Sequence, residues 1–414
     1  MTTHVLREYD TVVRGARTGW TGDRFTLEPP AFDALVALIE RDLPKTALEN
    51  LSAVATFTRV GGQTALKFQQ WVGLIRLTDG TTLEVLPKTH LRGDDPTACR
   101  ALLMRMLSAT DERFKVAPSV DLDPAPMPLF ETFLAYAAHG FRAAIRRGVP
   151  HAYVGVQEER AGLRGRLDMA RQVRQLPSRA HLLHVAYDEY LPDRPETRLL
   201  RSSLERIARL TQQPATRRIA RETLLGLEGV PISRDVKADF AAWRLERGQA
   251  HFASLEALCR LILHDLNPVV GGATVRALGV LFDMNRLYES YVARLLAKNH
   301  PDWTIRTQVQ EQSLGEVDGR AVFKLKPDLL IRLPDGELVV ADTKWKRLDQ
   351  AVMPYFGVAQ ADVYQMLAYS VRYQSNQSAP RLWLLYPRVP GVPDPLANLI
   401  LPEGRTLEIR QLEL

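Results

Sequence analysis

Apolar and polar positions alternate with different periods along the chain, and the changes of period outline its elements. Residues Phe32–Ile39 keep apolar side chains at 32, 35, 36, 38 and 39, a helical stripe after the Pro29-Pro30 break. Strand-like runs at Ala65–Leu77 and Thr82–Lys88 flank Asp79-Gly80 and predict a β-hairpin. Pro96–Ser108 returns to a helical period, with Leu102, Leu103, Met106 and Leu107 on one side and Asp95 placed to cap it ahead of Pro96. Further on, Leu129–Arg147 and Arg194–Leu210 predict amphipathic helices, and His151–Met169 a hairpin turning near Ala161-Gly162.

The last third has another order: a helix at Met284–Lys298, strands up to Trp345, a helix at Ala361–Tyr369 and a strand at Arg381–Tyr386. Strands with a helix on either side in sequence predict an α/β sandwich. Pro-rich Asp121–Pro128 and Asn267–Gly272 read as joints. The expected fold class is therefore α+β and multidomain: a β-rich segment 1–120, an Arg-rich, mainly helical segment 121–270 with a β-hairpin, and an α/β segment 271–414.

Composition narrows the class. Hydrophobic residues are 46% and charged residues 25%, the mix of a folded globular chain. No apolar run approaches the ~18 residues that a membrane helix needs. The opening Met1–Asp10 mixes charge into what would be a leader's apolar core, and Cys99 and Cys259 stand far apart outside any CxxC spacing. A reducing cytoplasm, with no disulfide framework and no zinc ribbon, is the expectation. Net charge is +6, yet 140–225 alone holds 17 Arg, no Lys and 9 acids, a local +8. An Arg-only basic block suits a polyanion, or else solvated helix faces.

Candidate chemistry concentrates in Leu325–Lys344. Two apolar strands enclose Pro334-Asp335-Gly336; if all three residues form the loop, Asp328 lies opposite Asp342, whereas a two-residue loop shifts the pair by one. Asp342 and Lys344, two apart, share a face of their strand. Two converging carboxylates repel and are costly to bury without compensation. A Mg²⁺ ion held by Asp328 and Asp342 is the natural compensation, with Lys344 orienting or helping to deprotonate an attacking water. Phosphodiester hydrolysis suits that arrangement. Glu289, just outside the apolar stripe of its helix, is either an auxiliary metal or water ligand or a surface partner of Arg286. Gln365 and Tyr369, four apart on one helix face, either contact phosphate and the carboxylates or line the helix–sheet interface. His181-x-x-His184 lacks a third ligand and reads as surface.

Taken in order, Glu289, Asp328, Asp342-x-Lys344 and Gln365-x-x-x-Tyr369 resemble the PD-(D/E)xK nuclease superfamily, in its RecB-like branch with a QxxxY helix. Val72–Arg76, Leu83–Lys88, Gly162–Asp168 and Phe282–Glu289 add a resemblance to the McrC family, nuclease subunits of McrBC-type restriction systems directed at 5-methylcytosine. That resemblance implies a C-terminal domain that cuts DNA with Mg²⁺ at Asp328, Asp342 and Glu289. It also implies docking on a hexameric McrB-like AAA+ GTPase ring whose GTP hydrolysis the chain stimulates, double-stranded DNA with modified cytosine as substrate, and pairing of two copies for a double-strand cut. No GxxxxGK[ST] is present, so GTP or ATP would bind the partner chain. Arg160, Arg164 and Arg166 then have three readings: DNA contact, contact with the ring, or bridges to local acids such as Glu158, Glu159 and Asp168. A catalytically silent activator of the ring and a stand-alone RecB-like repair nuclease are the competing functions.

Overall fold

Strand Trp71–Arg76 joins two parts of the chain that are far apart in sequence. It pairs antiparallel with Thr82–Leu86 on one side and with Leu278–Asp283 on the other, and Thr3–Arg7 adds a parallel edge. The computed structural model describes residues 3–41, 54–77, 79–88, 95–110, 127–265, 278–374, 379–394, 396 and 398–414. Within these the chain is a mixed α/β protein built on several sheets. It divides into two compact units, one drawn from 1–111, 123–129 and 271–414, the other from 112–122 and 130–270. The joint expected at 267–272 lies outside the described residues, as does most of the one at 121–128.

Among the described residues the first unit holds four sheets. A five-stranded sheet runs Gly19–Thr21, Arg24–Leu27, Thr11–Arg14, Gln63–Phe68, Ala55–Val60. Helix Pro29–Arg41 contributes Ala31, Phe32, Leu35 and Leu38 to the same core as Phe25, Leu27, Leu66 and Phe68. The apolar run 65–77 therefore is not one strand. It breaks at Gln69-Gln70, because Phe68 N–H donates to Asp10 O in one sheet while Gln70 O accepts from Met284 N beside the next. The hairpin around Asp79-Gly80 forms, with Arg76 opposite Thr82. Asp95 caps helix Pro96–Thr110 through the N–H groups of Thr97 and Ala98.

The third sheet has six strands, in the order Thr304–Thr307, Leu329–Arg332, Leu338–Thr343, Arg381–Pro387, Thr406–Leu412, Leu399–Ile400. Leu338–Thr343 is antiparallel to Leu329–Arg332 and parallel to Arg381–Pro387. Leu330, Val340, Leu382 and Leu384 pack with Met366, Tyr369 and Tyr373 from helix Gln360–Arg372 and its end. Helix Met284–Asn299 follows Leu278–Asp283 without a loop, since Asp283 caps it through Asn285 N and Arg286 N. A separate two-stranded hairpin, Gln312–Val317 with Arg320–Leu325, leads into the six-stranded sheet.

In the second unit, Ala152–Arg160 pairs over its whole length with Leu183–Leu191, and Arg166–Leu167 adds to the opposite edge. The hairpin expected within 151–169 is thus replaced by a longer-range pairing. Nine consecutive residue pairs outweigh the two available to Arg166–Leu167. Helices Leu129–Arg146, Pro195–Leu210 and Pro214–Leu225 form where helical stripes occur. No helix among the described residues is long and apolar enough to cross a membrane.

Gly73 is constrained by the junction it occupies. Its φ is +137°, and a Cβ there would stand 2.1 Å from Val280 O and 3.1 Å from Leu281 Cα. Gly73→Ala should therefore lower unfolding free energy by at least about 2 kcal/mol, measured by chemical denaturation. Glu8 lies fully buried, accepting from Trp345 Nε1 at 2.9 Å and Lys88 N at 2.8 Å. Burial pushes its carboxyl up to about 7 from 4.5, against those hydrogen bonds. Between these values the folded chain holds a proton that the unfolded chain has lost, so stability falls as pH rises through this window. Glu8→Gln should remove that dependence, shifting the variant-minus-wild-type difference by on the order of 2 kcal/mol in the variant's favour from pH 4.5 to ~pH 8.

Candidate active site

The turn after Arg332 sets the register that brings the acids together. Leu333 N donates to Glu337 O and Gly336 N to Leu333 O, each at 2.9 Å, so Pro334, Asp335 and Gly336 form the loop. Gly336, at φ +89°, takes the left-handed conformation the turn requires. Leu329 then pairs with Ala341, and the same register sets Asp328, just before its strand, opposite Asp342. Asp328 Oδ2 accepts from both the N–H and the hydroxyl of Thr343, each at 2.7 Å. Thr343 thus fixes Asp328 while engaging only one of its oxygens.

Asp342 is 2% exposed, on a strand whose neighbours Val339, Val340 and Ala341 are fully buried. By the strand's alternation Asp342 shares the Val340 face, over which helix Gln360–Arg372 packs. Asp342 Oδ1 accepts from Gln365 Nε2 at 3.1 Å. Its Oδ2 lies 2.6 Å from Lys344 Nζ, the partner that answers its charge. Lys344 Nζ donates to Gln365 Oε1 at 2.9 Å. Gln365 Nε2 also donates to Tyr369 Oη at 2.7 Å, and Tyr369 Oη in turn to Lys326 O at 2.9 Å. Gln365 therefore faces the carboxylate with its amine side and the lysine with its oxygen.

Glu289 is partly buried and accepts from Gln308 Nε2 rather than pairing with Arg286. Burial and the nearby Asp328 raise its carboxyl to about 7, although the Gln308 bond opposes this. Burial and mutual repulsion raise Asp342 too, and burial raises Asp328 against its two bonds from Thr343. At Lys344 burial disfavours the charge, yet Asp342, Asp362 and Asp328 outweigh it and hold the ammonium above its ordinary range. Each carboxyl shift records negative charge short of compensation.

That shortage is the test of whether a divalent cation fits. Among the described residues no three His, Cys, Asp or Glu side chains form a ready-made cage. Mg²⁺ does not require one, because it keeps several waters and takes one or two carboxylates. The Oδ2 of Asp342, which has Lys344 beside it, and the second oxygen of Asp328, which Thr343 leaves unengaged, match that donor set. Glu289 is tied to Gln308 and would join only on releasing it.

Two side chains of the cluster escaped the sequence reading. Asp362, 6% exposed, holds Lys346 Nζ at 2.7 Å and stands 3.5 Å from Lys344 Nζ. Its signal was available, since 362, 365 and 369 share a helix face. Gln308, at φ +54°, donates its main-chain N–H to Asp328 O and its amide to Glu289. No local pattern announces it. In the second unit, Arg160 pairs with Glu158 at 3.6 Å, and Arg164 pairs with Glu189 at 3.0 Å while lying over the Tyr187 ring. Arg166 is exposed, with no ion pair among the described residues. His184 stands 3.4 Å from Glu159, and His181 is exposed.

Comparison with known proteins bears on the whole chain. Residues 66–387 match the family model of the McrBC 5-methylcytosine restriction system component. No curated protein matches. Among solved structures, a chain of the refined half-complex from the tetradecameric assembly of Thermococcus gammatolerans McrB AAA+ hexamers with bound McrC is similar over 100% of this chain and 95% of its own. Its TM-score is 0.71 at 20% identity. A chain of the cryo-EM structure of the Thermococcus gammatolerans McrBC complex is similar over 76% of this chain and 90% of its own, with TM-score 0.49 and 23% identity. The family match spans both compact units and includes every residue of the acid–lysine–glutamine cluster. The chain belongs to the McrBC 5-methylcytosine restriction system component family.

Proposed function

We propose that the chain is the McrC-type nuclease subunit of a modification-dependent restriction complex, hydrolysing DNA phosphodiester bonds with Mg²⁺. The observation that carries this reading is the closed cluster in which buried Asp342 meets Lys344 at 2.6 Å and Gln365 at 3.1 Å, with Asp328 opposite in register. A cluster kept only for architecture gains nothing from burying two like charges side by side.

Asp328 and Asp342 would hold the cation, with Glu289 as an auxiliary ligand. When bound, it supplies Lewis acidity at the phosphorus oxygens and offsets the charge that develops there. Lys344 Nζ stands beside both acids, where it orients the attacking water and donates to a non-bridging phosphate oxygen. Gln365 fixes Lys344 and Asp342 relative to each other, and Tyr369 locks the Gln365 amide by bridging it to Lys326 O. Tyr369 is 3% exposed, which suits support of the cluster better than direct phosphate contact.

The similar assembly's name, McrB AAA+ hexamers with bound McrC, supports a hexameric AAA+ ring as partner, and the McrC resemblance implies that this ring hydrolyses GTP. Nucleotide binding and recognition of modified cytosine in double-stranded DNA would then fall to that ring, in the cytoplasm. Of Arg160, Arg164 and Arg166, Arg166 is the one with no ion pair among the described residues, and it would be available to a partner or phosphate. One cluster cuts one strand, so two copies would pair for a double-strand break.

Methylated plasmid incubated with the co-encoded ring protein, GTP and Mg²⁺ should be cut by wild type. Asp342→Ala and Lys344→Ala should each lose at least about a hundredfold in rate while GTP turnover remains stimulated. Wild type that stimulates GTP turnover but never cuts would replace the nuclease reading with that of a silent activator.

A further inference from the structure

The hairpin that delivers the chain to Asp328 contains a backbone anomaly. Its strands pair regularly at Ser313–Lys324 and Gly315–Val322, and Asp318 and Gly319 turn it with φ of +51° and +73°. Between those pairs Leu314 and Phe323 are opposite but do not pair, because Phe323 has φ +55°. A bulky aromatic residue is strained in that left-handed region. The strain gains no packing, since the Phe323 ring is 76% exposed and Leu314 is 51% exposed. The base of the hairpin is firm by contrast: Ser313 and Leu325 are each 7% exposed, and Lys326 O accepts from Tyr369.

Charge identifies what the ring meets. Lys324 on the same strand and Lys326 just past its end follow Phe323, two apart, both exposed and neither in an ion pair among the described residues. Lys326 is near enough to Glu289 and Asp328 to favour their charged forms. Acids on the hairpin, Glu316 and Asp318, sit toward its far end. Phe323 lies five positions before Asp328, so their Cα atoms are within about 18 Å of each other. An exposed aromatic ring followed by unpaired cations is the combination that binds a nucleic acid strand: lysines on phosphates, the ring on a base. Stacking on a base face tolerates any sequence, which suits a chain whose partner would read the modified base.

We propose that hairpin 312–325 is a DNA-engaging element, with Phe323 inserting at a base step close to the phosphate presented to Asp328 and Asp342. This rests on the nuclease reading for its substrate but is tested apart from it. The full chain is titrated into a duplex carrying 2-aminopurine, whose fluorescence rises when it unstacks. Wild type should raise the signal. Phe323→Ala should bind about tenfold more weakly without raising it, and Phe323→Trp should restore both. Phe323→Gly relieves the strained φ, so it should melt no lower than wild type while losing the signal, which separates contact from folding. Wild-type affinity and signal in Phe323→Ala would overturn the inference, as would loss of self-association in that variant with DNA binding unchanged. Cleavage abolished in Asp342→Ala but normal in Phe323→Ala would overturn the hairpin's role and leave the nuclease reading standing. If wild type neither binds nor cuts DNA, both fall.

Discussion

Two carboxylates held side by side in a largely dry site are the constraint around which the first unit is arranged. Asp342 sits among fully buried strand residues, and the three-residue turn at 334–336 sets Asp328 opposite it. Left alone, the pair would repel and take up protons. Lys344 answers part of the charge and Gln365 holds lysine and acid together, while Tyr369 and Asp362 brace them from helix Gln360–Arg372. The remaining deficit appears as raised carboxyl affinities for protons at Asp328, Asp342 and Glu289. A divalent cation would remove it, and this is why the same cluster reads as a site for phosphodiester chemistry.

The placement of that cluster depends on residues remote in sequence. Trp345, just after Lys344, bonds through its indole to Glu8, and Tyr288 stands 5.3 Å from its ring. Strand Leu278–Asp283 pairs with Trp71–Arg76 before turning directly into the helix that carries Glu289. The N-terminal strands are thus part of the scaffold that supports the site.

What the sequence revealed follows from the range of each interaction. Helical stripes and their caps are local, so Asp95 before Pro96 and the stripe of 284–298 locate their helices to within a few residues. The facing of Asp328 and Asp342 was legible up to the choice of loop length, and Leu333–Glu337 hydrogen bonding decides it. Gln365 and Tyr369 were legible as one face, but their sharing of Asp342 and Lys344 was not. Long-range pairing left little local trace: the strand-like run 65–77 enters two sheets on either side of Gln69-Gln70, and 152–160 pairs with 183–191 across an intervening segment. Gln308 and Phe323 take left-handed backbone conformations with side chains that carry no motif, so only coordinates single them out.

The central claim is that Asp328 and Asp342 form a cation site. Calorimetric titration of Mg²⁺ into the full chain, with thermal melts alongside, tests it most directly. The account requires one saturable site in wild type that raises stability by about 2.7 kcal/mol when the ion is near a hundredfold its Kd, with both effects lost in Asp342→Asn. Equal binding by wild type and Asp342→Asn, or no binding by either, would contradict it.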